Sequence, residues 1–368
     1  MPGSIPNIIR SEVNFFVLLY KLFFVATGTK ITKIYSFLIK TIIIIVALGF
    51  IYFQLFNKYK ISDVFHQGLK FFEKGNFYPI LFLVVLLMFV NWGIEAAKWR
   101  YLIRKVEKIS FLKSYKAILS GVTISIYTPN RVGEFAGRIF VLEKANRIEA
   151  SLITIIGSFS QLLITILLGS LSFIFIFFVN SELVRIGLAE YWNYLNPIFF
   201  IGLIILCSLF YFNISIFEKI INRFQFLKKL NKYTKAFSYY RFTELLYILF
   251  LSFLRYLVFA VQFYLMLCAF GVITNFVEGM IIISMIYFVM AVIPTFALAE
   301  IGIRCSVALF FIGLLFNKYS NGILAINTGT ILATTFLWII NLAIPALMGI
   351  FCIYQLKFFR KKEPSNEL

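Results

Sequence analysis

The chain has 368 residues, of which 61% are hydrophobic and only 14% charged, and its mean hydropathy is +0.91. A soluble domain carries about 25% charged residues, so this much apolar side chain excludes a water-soluble fold. The net charge of +19 lies mostly in segments between apolar runs. That is the positive-inside pattern of a membrane protein, with affinity for anionic headgroups, and not a nucleic-acid footprint.

The apolar runs are continuous and roughly 20 residues long, which points to helices; a barrel strand would alternate. Cys207, Cys268, Cys305 and Cys352 all fall within such runs, with no CxxC and no Cys/His cluster, so disulfide and metal readings fail. His66 lies in a polar segment and reads as solvated. Residues 13–26 are interrupted by Lys21 and lack a small-residue cleavage site, so they read as an interfacial helix rather than a signal peptide.

Taken in order, residues 1–36 form a basic segment expected in the cytoplasm. Residues 37–56 are the first span, running outward. Residues 57–78 are a mixed, nearly balanced loop. The second span, 79–97, returns inward to a dense basic segment with Lys98, Arg100, Arg104, Lys105, Lys108, Lys113 and Lys116 against Glu107.

Next come two short apolar runs, 115–127 and 135–142. The first measures about 20 Å at 1.5 Å per residue, too short for a hydrocarbon core of about 30 Å. Between the runs stands Tyr127-Thr128-Pro129-Asn130-Arg131-Val132-Gly133-Glu134. Pro129 lacks a backbone donor and disfavours a helical Thr128. The pair reads as a re-entrant hairpin that enters from the cytoplasm and returns to it.

A long span at 151–179 leads to an outer loop at 180–196, and 197–212 crosses inward. A second basic segment follows, from Lys219 to Arg241. Residues 245–270 run outward. Two apolar arms, 279–293 and 301–316, then flank a second break, Pro294-Thr295-Phe296-Ala297-Leu298-Ala299-Glu300. The last span, 323–354, ends in a basic tail at 357–368 that belongs inside.

Each half thus reads span, span, hairpin, span, with opposite starting sides. The expected fold is an all-α polytopic membrane protein, with about six full spans plus two re-entrant helical hairpins in an inverted-topology repeat. The transmembrane domain covers 37–356, with repeat halves near 37–179 and 197–354.

Irregular backbone at membrane depth is tolerated only where protein or water satisfies it, so both breaks should face an internal cavity. Each carries a glutamate and an arginine at i, i+4: Glu134 with Arg138, and Glu300 with Arg304. These could simply pair, or open to admit a phosphate, which a guanidinium fork matches. Together with Tyr127, Asn130 and Arg131 of the first break and Arg255 deep in the fifth span, they form the candidate substrate site. Glu95 is expected to pair locally with Lys98 or Arg100. Asn91, Gln161, Gln262 and Asn341 read as helix–helix contacts. Trp92, Trp99, Trp192 and Trp338 read as packing or interface residues. No P-loop, dinucleotide fingerprint or nucleophile elbow occurs, and no cofactor is expected.

Three segments, Lys98-Trp99-Arg100, Pro129-Asn130-Arg131-Val132-Gly133-Glu134 with Gly137-Arg138, and Pro294 with Ile301-Gly302-Ile303-Arg304, resemble the lysylphosphatidylglycerol synthase transmembrane-region family of flippase-like integral membrane proteins. The late motif of that family has paired glycines and Gly-x-Arg-Glu. Here Ala299-Glu300 stands in the glycine positions and Cys305 follows Arg304. The resemblance implies the translocating part without the soluble aminoacyl transferase. The function expected is that of a lipid flippase or scramblase. Its substrate would be an anionic, aminoacylated or polyprenyl-phosphate-linked lipid of the cytoplasmic membrane. A membrane-embedded transferase with Glu134 or Glu300 as base, or a non-catalytic partner of a separate transferase, are the alternatives.

Overall fold

A computed structural model describes residues 61–73, 75–126, 128, 131–179, 197–213, 239–273, 275–293, 297–316 and 323–353. The expected first span, the loop at 180–196, most of the second basic segment, the tail, Tyr127, Pro129, Asn130 and Trp192 lie outside the described residues.

The described chain is helical: α1 Ile61–Phe72, α2 Phe77–Ile103, α3 Phe111–Ile126, α4 Gly133–Ile139, α5 Arg147–Val179, α6 Pro197–Phe212, α7 Phe242–Ala269, α8 Phe276–Val292, α9 Ala297–Phe316, α10 Ile323–Trp338 and α11 Ile344–Ile353. A π-helical turn, Ile339–Ala343, joins α10 to α11, with the Ile344 N–H donating to the Ile339 carbonyl. Among the described residues, four helices are long and apolar enough to cross a membrane: Phe77–Ile103, Arg147–Phe178, Phe242–Ala269 and Leu324–Cys352. α6 and α8 are shorter apolar helices.

Burial inverts the soluble pattern. On α2, Phe82, Leu86, Phe89 and Val90 are exposed, while Asn91, Glu95 and Lys98 are buried. On α6, Ile198, Phe199, Ile205, Leu206 and Leu209 are exposed. Outward apolar faces around a polar interior fit a lipid solvent. This is a polytopic helical membrane protein.

Two differences from the sequence reading have clear causes. Residues 61–72, expected in a loop, form α1, because Val64, Phe65, Leu69 and Phe72 recur at helical spacing within a mixed composition. Phe71 and Phe72 of α1 join Phe77, Phe270 and Phe336 in an aromatic cluster, with Phe71 and Phe270 ring centroids 5.6 Å apart, edge to face. The second helix also runs on to Ile103, which takes Lys98 out of the basic loop and into the protein interior.

α3 and α4 pack as one hairpin, and α8 packs on α9. Each leading arm also packs against a long helix of the other half: α3 on α11, and α8 on α5. A glycine opens each crossing, Gly349 beneath Leu119 and Thr123, and Gly169 beneath Phe288. At the first crossing the Thr123 hydroxyl donates to the Ala346 carbonyl at 2.7 Å.

Candidate functional site

The first break is built locally. α3 ends at Ile126, and the Thr128 hydroxyl donates to the Ser125 carbonyl at 3.2 Å while accepting the Gly133 N–H at 2.8 Å. Between these contacts Arg131 adopts φ 56°, the left-handed region, which a residue with a Cβ rarely occupies. α4 then folds back along α3. Gly121 and Gly137 meet backbone to backbone, so that a side chain on either would overlap the other arm. This contact carries Glu134 and Arg138 into the interior, where Arg138 is 4% exposed.

Glu95 of α2 lies at the centre of what they meet. Its Oε1 accepts from Arg138 Nη1 at 2.8 Å. Its Oε2 lies 2.8 Å from Lys98 Nζ and 3.4 Å from Arg255 Nε of α7. Arg138 also pairs with Glu134. Lys98 is 1% exposed and has two further acceptors, the Gly157 carbonyl at 3.2 Å and Ser252 Oγ at 3.3 Å. Three partners match the three protons of an ammonium group. Arg255 donates to Gln161 Oε1 at 3.3 Å and lies over the rings of Trp92 and Phe259.

The second break carries a second ion group. Glu300 and Arg304 pair on α9, and Glu300 Oε2 lies 3.9 Å from Arg131 Nη1 across the two hairpins. Thus the residues singled out by sequence fall into two ion groups, Glu134, Arg138 and Arg255 with Glu95 in one and Arg131, Glu300 and Arg304 in the other, and Arg131 of the first break reaches Glu300 of the second. Both expected i, i+4 pairs form. Tyr127 and Asn130 fall outside the described residues.

The model of the family described as "Lysylphosphatidylglycerol synthase TM region" matches residues 37–317. The chain belongs to that family. Comparison with curated proteins and with solved structures gives no match.

The motif Lys98-Trp99-Arg100, one of the marks of the family resemblance, now has a structural account. Lys98 braces Glu95, Trp99 Nε1 donates to Thr154 Oγ1 at 3.1 Å, and Arg100 is exposed. The expected Glu95–Lys98 pair is present, but Glu95 is also the shared carboxylate of Arg138 and Arg255, which makes it a site residue that sequence reasoning passed over. Lys98 and Gln161 were passed over too. The available signal was two charged residues at i, i+3 inside an apolar run, which a buried pair explains and a lipid-facing helix cannot.

Gln262 is a helix–helix contact as expected, donating to the Val84 carbonyl at 2.9 Å. Asn91 and Asn341 are buried too, but their amides have no hydrogen-bond partner among the described residues. Trp92 and Trp99 pack in the core. The four cysteines are free, and no cluster of metal-ligating side chains occurs among the described residues.

Proposed function

We propose that this protein moves a lipid with a phosphate-bearing headgroup between leaflets of the cell membrane. Family membership supports a role in lipid handling. The observation that carries the reading further is that guanidinium groups from both breaks, Arg131 of one and Arg304 of the other, meet at one carboxylate, Glu300, while Arg138 of the first break is held in the interior by Glu95. Buried arginines fit phosphate oxygens, and burying charge without a partner is costly. The headgroup would rest on these arginines while its tails stay in lipid. The reciprocal packing of α3 on α11 and α8 on α5 supports an inverted repeat. In this reading the two hairpins are re-entrant, both termini are cytoplasmic, and Tyr127 and Asn130 line the path.

A transferase would need a carboxylate free to act as base. Glu95, Glu134 and Glu300 are each paired to a cation, which weighs against that alternative. The test is reconstitution into liposomes with fluorescent phospholipid and polyprenyl-phosphate probes, followed by dithionite quenching. Faster loss of the inner-leaflet signal than in protein-free vesicles is expected. Equal rates with every probe would favour a partner subunit of a separate transferase.

A further inference from the structure

The ion group around Glu95 carries one positive charge in excess. Lys98, Arg138 and Arg255 stand against Glu95 and Glu134, three cations and two carboxylates among the described residues. Lys98, Glu95 and Arg138 are buried, where an unbalanced charge is costly. The arginines keep their protons. Lys98 is the cation of this group that can become neutral. Its neutral amine leaves Arg138 and Arg255 balanced by Glu95 and Glu134.

The surroundings of Lys98 suit both forms. As an ammonium ion it lies 2.8 Å from Glu95 Oε2, an oxygen that takes no hydrogen bond and so holds it by charge. Its other two partners are uncharged, the Gly157 carbonyl at 3.2 Å and Ser252 Oγ at 3.3 Å. A neutral amine keeps N–H groups for the carbonyl and gains a lone pair that can accept from the serine. Ser252 Oγ lies 2.7 Å from Ser160 Oγ, where either hydroxyl can donate, and both serines are buried. Two such hydroxyls can pass a proton in either direction. The charged groups that face Lys98 are Glu95 on its own helix, Arg138 with Glu134 on α4, and Arg255 on α7. α5 offers the uncharged Gly157 carbonyl and Ser160, and α3 brings the uncharged Ser114 to the Ala96 carbonyl.

Resting on the lipid-translocation reading, we infer that Lys98 exchanges a proton with water in step with an anionic headgroup. A headgroup on Arg138 balances the ammonium, so the amine takes up a proton as the headgroup binds. When the headgroup leaves, the ammonium gives that proton back by way of Ser252 and Ser160, and the group returns to balance. One proton is taken up for each headgroup charge bound.

Isothermal titration calorimetry of the purified full chain in detergent tests this, with dioctanoyl phosphatidylglycerol as probe. The pH runs from about 7 to about 10, up to the ordinary range of lysine. The diester keeps its single charge throughout, so a proton taken up goes to the protein. Binding heat is expected to differ between Tris and HEPES at the same pH, because a proton drawn from the buffer carries the buffer's ionisation heat. Affinity is expected to fall as pH rises, by at most about tenfold per pH unit, the limit for one linked proton. Lys98→Met is expected to show a buffer-independent heat and a flat pH profile. Lys98→Arg, which keeps the charge and cannot release the proton, gives the same reading should the first variant fail to fold. Equal heats in both buffers with a flat profile in the wild type overturn the proton exchange and leave the lipid site in place. Proton uptake that persists in either folded variant overturns the assignment to Lys98. Dimethyl phosphate binding as tightly as the lipid overturns the lipid source. No binding heat with the lipid in either buffer overturns both this inference and the headgroup reading beneath it.

Discussion

Glu95 contacts more of the site than any other single side chain described: Lys98 on its own helix, Arg138 from the first hairpin and Arg255 from α7. Glu95→Ala leaves buried Lys98 and Arg255 without a carboxylate and Arg138 with Glu134 alone, and is expected to cost about 3–5 kcal/mol, the range for breaking a buried pair. Lys98→Met is expected to cost less, because Glu95 keeps Arg138 and Arg255. Denaturant midpoints in detergent, read against the slope, rank the two; the reverse order would show that Lys98, not Glu95, is the central group. A second carboxylate acts at the basic end of the bundle. Glu107 accepts the backbone N–H groups of Glu143 at 3.0 Å, Lys144 at 2.7 Å and Ala145 at 2.9 Å. Burial pushes its carboxyl up, but the N–H groups of Ala145, Lys144 and Glu143 outweigh that and hold it below the usual glutamate range. A group whose pKa is lowered by folding contributes stability above its unfolded value, about 4.3 for glutamate, and that contribution is lost as pH falls through the folded value. Limited proteolysis at 143–145 is therefore expected to quicken as pH drops below that range. Glu107→Gln should already be cleaved quickly at pH 7 and lose the pH dependence.

At the scale of elements, the first hairpin depends on the contact between Gly121 and Gly137. Gly137→Leu forces α4 off α3 and carries Arg138 away from Glu95. A loss of at least about 1–3 kcal/mol is expected, the range for overpacking. Gly93 on α2 has open space where a side chain would go, so Gly93→Ala is expected to be neutral or stabilising by up to about 1 kcal/mol. Equal effects of the two would remove the close approach as the cause. Both breaks were legible in the sequence, because Pro129, Pro294 and charged residues interrupt apolar runs. The i, i+4 pairs were legible for the same reason that helices are: spacing alone sets them. The meeting of Glu95 with Arg138 and Arg255 was not legible, since three separate helices bring these residues together and no local pattern encodes it. Lys98 was misplaced because a lysine beside Trp99 and Arg100 looks like the start of a cytoplasmic loop; only the extension of α2 to Ile103 reveals it as interior.

For the whole molecule, exposed apolar faces on α2 and α6 and a charged interior place the chain in a membrane, and the basic segments between apolar runs predict its orientation. Lys70 of α1 and Ser110 before α3 are both exposed and lie at sequence positions expected on opposite sides. Lys70→Cys is expected to react with an impermeant thiol reagent in intact cells, and Ser110→Cys only after permeabilisation. The opposite pattern would invert the orientation and place the basic end outside. The central claim is that the two breaks, joined at Arg131 and Glu300, form one pathway. Dithionite-quenching rates in proteoliposomes for Arg138→Gln, Arg304→Gln and the double variant test it most directly, since residues acting in one unit do not add. Each single variant is expected to lose most of the protein-dependent translocation, and the double variant to lose no more than the worse of the two. Additive losses, or single variants that translocate at the wild-type rate, would contradict the shared pathway.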